Sequence, residues 1–260
     1  WIALGRAGAR AGAGAGGDEG LQRARTALTS GLETENGLVR PWVALGLGVL
    51  EQSRARTGDV VAPDSLRALR RALEEHSSPS EAGAYCLALG LCKDGASRER
   101  IEREATRTQD DEFQSQAALA LGLLGDRESI EPLRRIVLDA RQRPLVLRDG
   151  AIALGLIGDH ELVGFLVSWL REASNLGLLS ATAGALGWVG DQRAIEPLCG
   201  LVESRETPDR ARAFAAVALG LMCDKDLLPW NATIARDLNW WLAPATLYDP
   251  SGGSGVIDLL

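Results

Sequence analysis

QAALALGLLGDRESIEPLRRIV, residues Gln116 to Val137, contains one unit of a pattern that the chain repeats. Its Ala-Leu-Gly triplet recurs at Ala3, Ala44, Ala88, Ala120, Ala153, Ala185 and Ala218, at intervals of 41, 44, 32, 33, 32 and 33 residues. A period near 33 with no strand-like alternation inside it predicts a solenoid of helix pairs. From Gln116 to Leu124 the residues are apolar on almost every face, which suits an inner helix covered by neighbours on both sides. The stretch that follows sets Ile130, Leu133, Ile136 and Val137 at helical spacing among charges, as in an amphipathic outer helix.

Glycine within a helix costs about 1 kcal/mol relative to alanine, and seven copies accept that cost. Ala120 followed by Gly122 removes side-chain bulk, so the spacing predicts close approach of a neighbouring helix. Six positions beyond the triplet alanine stand Asp94, Asp126, Asp159, Asp191 and Asp224, each suited to cap the helix that follows. Gly125, Gly158 and Gly190 come one residue earlier, where the preceding helix needs a left-handed residue to stop. Capping accounts for the carboxylate row without a metal or an acid-base pair. Pro132 and Pro197 fit if the main outer helix begins near them after a short initial turn, and Pro79, Pro144 and Pro208 open inner helices.

The runs ALALGLLGDRESIEPLRRIV and GALGWVGDQRAIEPLCGLV resemble HEAT repeats of the short type first recognised in the phycobilin lyases. The resemblance covers Leu38 to Cys223 well and the N-terminal part poorly. It implies an all-α fold, a right-handed α-solenoid of antiparallel helix pairs over residues 1–223, with a truncated first repeat and a non-repeat extension over 224–260. Function is left open by it, because this repeat class serves scaffolds, chromophore lyases, a hydroxylase and DNA-repair proteins. The hydroxylase holds two irons through several His-Glu pairs. This chain has two histidines, His76 and His160, and one such pair, His160-Glu161, so a di-iron site of that kind is excluded on count.

The net charge of −7 argues against a general nucleic-acid binder, which needs a basic face. The basic run Arg98, Arg100, Arg103 and Arg107 is interleaved with Glu99, Glu102 and Glu104 and reads as a solvated helix face. The cysteines Cys86, Cys92, Cys199 and Cys223 show no CxxC spacing and read as small core residues. Free cysteines favour a reducing compartment such as the cytoplasm. Export stays open, because a chain beginning with Trp1 reads as a fragment or processed product. No apolar run reaches the length of a membrane-spanning helix.

The two long intervals place insertions near residues 9–20 and 52–63, in neighbouring repeats. GAGAGG at Gly12 to Gly17 lacks the Gly-Lys-Ser/Thr ending and preceding strand of a phosphate loop, and reads as a loop. Trp42 aligns by its triplet with Cys86, Ala118, Ala151, Ala183 and Ala216, so it either fills extra space in the core or faces outward. Trp169 and Trp188 align with aliphatic core positions. Residues 225–260 leave the repeat, with Trp230, Trp240 and Trp241, then an apolar end at Val256 to Leu260. That segment either caps the last repeat or docks on another chain.

The leading functional expectation is a non-catalytic scaffold that binds a protein partner, with Trp42, Tyr85, Trp230, Trp240 and Trp241 as candidate contact residues. No catalytic residue, cofactor or metal ligand is assigned. The alternative is a phycobilin-lyase-like chromophore or protein-modification factor, for which Trp42, Tyr85 and the basic helix ends would line the pocket. A DNA-repair activity is disfavoured by charge.

Overall fold

The structure, a computed structural model, describes residues 1–10, 17–75, 78–159, 161–173 and 175–223, without the side chains of Gly17, Asp18 and Trp188. Among them are thirteen α-helices and no strand. They are α1 (Ile2–Gly8), α2 (Gly17–Thr34), α3 (Arg40–Arg56), α4 (Pro63–Glu75), α5 (Pro79–Leu91), α6 (Arg98–Arg107) and α7 (Asp111–Leu124). They continue with α8 (Ile130–Asp139), α9 (Pro144–Ile157), α10 (Leu162–Glu172), α11 (Leu176–Val189), α12 (Ile195–Glu203) and α13 (Asp209–Cys223).

The odd-numbered helices form an inner layer in which each packs against the next, from α1 to α13. The even-numbered helices form an outer layer, each lying against the inner helix that follows it. A sequence unit beginning at the inner helix therefore straddles two structural hairpins. Between the layers Leu89, Leu121, Leu133 and Leu154 are wholly buried, each worth about 1.5–3 kcal/mol. Trp169 is buried as its alignment predicts, with the Arg141 guanidinium 5.9 Å from its ring centre.

The turns follow from the Gly-Asp pairs. Gly125, Gly158 and Gly190 stop α7, α9 and α11 in the left-handed conformation, at φ of 76°, 87° and 61°. In the Lys93-Asp94 copy, which has no glycine, Lys93 takes that conformation itself at φ 53°. The carboxylates of Asp126, Asp159 and Asp191 accept from the backbone N–H two residues on, at 3.0, 3.1 and 2.9 Å. At Asp126 and Asp191 a single 3₁₀ turn precedes the outer helix, which leaves Pro132 and Pro197 in the first α-turn where no N–H is needed. Asp224 lies outside the described residues.

These aspartates have a second role that spacing does not announce. Arg25 of α2 donates to Glu51 at 2.7 and 3.2 Å, Arg70 of α4 to Asp94, and Arg134 of α8 to Asp159 at 2.7 and 2.6 Å. Arg98 of α6 lies 3.2 Å from Asp126. Four outer helices, α2, α4, α6 and α8, are thereby tied to a carboxylate in or just after the next inner helix. Glu51 fills the place in the second copy where no aspartate stands, and it also accepts from the Ser65 hydroxyl at 2.6 Å and the Ala62 N–H at 3.2 Å. Arg134 holds the Asp159 carboxyl below its ordinary pKa, against the opposing effect of burial. Burial pushes Asp94 up, but hydrogen bonds from Arg70 and Ser97 outweigh it and leave that carboxyl below its ordinary value too.

Part of each inserted stretch is helix: α2 begins at Gly17, and α3 continues through Arg56, leaving a short connection to α4. The glycine-rich run before Gly17 lies outside the described residues, as do His76 and His160.

Candidate functional site

The stacking of the inner layer decides which residues face a partner, and glycine sets the register. A Cβ added to Gly90 would lie 3.0 Å from Ala120 Cα, and one on Gly122 would lie 2.7 Å from Ala153 Cβ. In α5 and α7 the glycine of the triplet therefore seats the alanine of the next, as the Ala120-Leu121-Gly122 spacing predicts. In α3 the seat for Ala88 is Gly48, at 2.9 Å from its Cα, and Gly46 in turn lies over Gly5 of α1. The structural counterpart of Ala88 in α3 is thus Gly46, two residues beyond the triplet alanine Ala44.

This two-residue slip moves Trp42. Its counterparts are Ala84 of α5 and Gln116 of α7, four residues before the seated residue, rather than Cys86 and Ala118. Filling of the core is overturned: Trp42 is 52% exposed. Leu45 and Val49 are partly exposed, at helical spacing with Trp42 along the side of α3 turned away from the outer layer, and Leu38 is exposed in the turn before the helix. The same side of α7 carries Leu119 and Leu123, partly buried, and that of α9 carries Ile152 and Leu156, the latter half exposed. The inner face thus carries aliphatic side chains on α3, α7 and α9 with an exposed indole on α3, while Leu87 and Leu91 at the same places of α5 are buried.

Tyr85 does not belong to this face. It sits three residues before Ala88, the position that in α9 is Gly150 and in α3 is Val43. Both of those meet the outer layer: Gly31 of α2 approaches Val43, and Gly150 approaches Val137 of α8. Tyr85 is accordingly 1% exposed, a core residue rather than a contact residue. Burial and the Glu81 carboxylate push its hydroxyl up to about 12, against Arg40. Arg40 and buried Glu81 form an ion pair at 3.2 Å that joins α3 to α5 close to Trp42. Trp230, Trp240 and Trp241 lie outside the described residues.

Titratable groups are spent on structure. Two of the four arginines of α6 are paired, Arg98 with Glu102 at 3.2 Å and Glu128 at 2.7 Å, and Arg100 with Glu104 at 2.7 Å. Cys86 and Cys92 are buried, and burial raises both thiols well above their ordinary value. Among the described residues no group of three or more His, Cys, Asp or Glu could hold a metal ion, and no helix is long and apolar enough to cross a membrane. What the inner face can do is bury apolar surface against another molecule.

The signal that sequence reading missed is the inner face itself. Trp1 stands two before Ala3 as Trp42 stands two before Ala44, a coincidence of spacing that the slipped register of α3 does not keep in space.

A family model for HEAT repeats matches residues 66–149 and again 138–217, together more than half of the chain. No curated protein matches it. The family match coincides with the region where helix pairs from α4 to α13 repeat most regularly, and the chain belongs to the HEAT-repeat family.

Proposed function

We propose that this chain is a non-catalytic protein-binding scaffold whose partner lies along the inner face and is anchored on Trp42. The observation that carries the proposal is the exposure of that indole beside aliphatic side chains, with Leu45 and Val49 on the same side of its helix and Leu38 exposed in the turn before it. A large amphipathic side chain held by a rigid helix supplies contact area at little entropic cost, and such residues dominate binding energy at interfaces. HEAT repeats commonly serve protein-protein interaction, which supports the reading without naming the partner. The test is recovery of bound protein by the intact chain and by Trp42→Ala, with the contact mapped by cross-linking and mass spectrometry. Equal recovery, or cross-links confined to the outer layer, would refute it.

The resemblance to the short lyase-type repeats supports a runner-up, a factor that holds a tetrapyrrole while it is joined to a client protein. It would use the same apolar face, since a flat ring stacks on an indole and packs on aliphatic side chains. Mixing the protein with a bilin separates the two. A shifted visible spectrum that Trp42→Ala abolishes would displace the scaffold reading.

A further inference from the structure

Among the described helices, the seat by which each inner helix receives the next is covered six times and open once. Ala44 in α3, Cys86 in α5, Ala118 in α7, Ala151 in α9 and Ala183 in α11 are sealed on the side toward the following inner helix. Ala216 of α13 holds the same place and is exposed, together with Ala213 and Gly220 one turn to either side. A Cβ on Gly220 would meet nothing within 4 Å, whereas on Gly48, Gly90 or Gly122 it would run into the backbone of the next helix. Val217 and Leu221, 43% and 46% exposed, border the open seat. The last described rung thus ends in an apolar face shaped like five others that each hold a helix.

We propose that residues 224–260 of this same chain occupy that seat and supply the covering rung in cis. Three observations select this occupant. The segment leaves α13 directly after Cys223, so no separate connection has to be spanned. It is as long as one repeat interval of 32 or 33 residues with a few to spare. It also holds three of the seven tryptophans, Trp230, Trp240 and Trp241, and the apolar run Val256 to Leu260, far more apolar bulk than a solvated linker carries. A seat of alanine and glycine is flat, and flat seats suit broad indole faces. An atypical terminal unit over the last repeat is also what a stack of nearest-neighbour contacts requires.

The test uses the full chain with Val217→p-benzoylphenylalanine, prepared as a mixture of light and heavy-isotope protein and photolysed. The expected product is a monomer whose residue 217 is linked to a peptide within 224–260, with both halves of the link of one isotope. Links joining light to heavy chains would assign the seat to a second copy and overturn the proposal. Photolysis that yields no link to 224–260 would overturn it equally. The thermal melt of the variant should match that of the parent. If it does not, Ala213→p-benzoylphenylalanine at the other edge of the seat gives the same readout. Neither outcome touches the inner-face proposal, because the seat and the Trp42 row lie at opposite ends of the stack.

Discussion

Replacing Gly122 by alanine sets two effects of opposite sign against each other. Glycine in a helix interior is about 1 kcal/mol worse than alanine, so Gly200→Ala in α12, where a Cβ would meet nothing within 4 Å, should stabilise by roughly 0.5–1 kcal/mol. At Gly122 the new Cβ would lie 2.7 Å from Ala153 Cβ and 2.9 Å from its carbonyl oxygen. Carbon atoms pack at about 3.5–4.0 Å, so α7 and α9 would have to part by roughly 1 Å. Backbone is in the way, and no rotamer change relieves it. Overpacking of this kind costs about 1–3 kcal/mol, which exceeds the helical gain and leaves Gly122→Ala about 1 kcal/mol less stable than the parent. Gly122→Leu should lose several kcal/mol more. Urea titration of the three variants, followed by hydrogen exchange at the amides of α7 and α9, reads both the sign and the place of the change. A gain for Gly122→Ala equal to that for Gly200→Ala would refute close helix approach as the reason for the glycine.

Leu121→Ala, at a wholly buried site, should cost about 2–5 kcal/mol in the same titration, while Trp42→Ala should cost about 1 kcal/mol or less and lower partner recovery instead. Asp159→Asn tests the tie from α8. The Arg134 pairing depresses the folded pKa of Asp159, so its contribution is complete above the ordinary carboxylate pKa of about 4 and is lost as pH falls through the lower folded value. Parent and variant should therefore differ by about 1–3 kcal/mol near neutrality and converge in acid, as melts across the acid range will measure. Thiol titration should label exposed Cys223 in the native protein and reach buried Cys86 and Cys92 only on unfolding. Rapid native labelling of either would place it outside the core.

The fold was legible because its punctuation is local. Gly125-Asp126 and its counterparts stop one helix and start the next through backbone groups within two residues, so spacing alone carries the message. The arginine ties were not legible, since Arg70, Arg134 and Arg25 stand 24, 25 and 26 residues before their carboxylates and only tertiary structure makes them equivalent. The place of Trp42 was left open for a definite reason. The run Ala44-Leu45-Gly46-Leu47-Gly48 offers two glycines, and the triplet match takes the first while packing against Ala88 uses the second. Tyr85 was singled out by residue type, but its place three residues before Ala88 turns it toward the outer layer.

The register of the glycine seats changes partway along the stack. From α1 to α9 a Cβ on the seat glycine would meet the residue two before the next helix's own seat glycine, but on Gly155 it would lie 3.0 Å from Val189 and on Gly187 2.5 Å from Leu221, each about one helical turn further along. The rungs are consequently not interchangeable parts. A duplicated α6–α7 pair could be spliced in beside the original and find matching threads on both sides, whereas a duplicated α8–α9 pair would present the wrong thread to its own copy, because α9 receives Gly122 on Ala153 while its Gly155 takes a residue one turn later in the next helix. Lengthening this protein by copying a repeat, in the laboratory or in a genome, is therefore easy upstream of α9 and obstructed at α9, where the register changes.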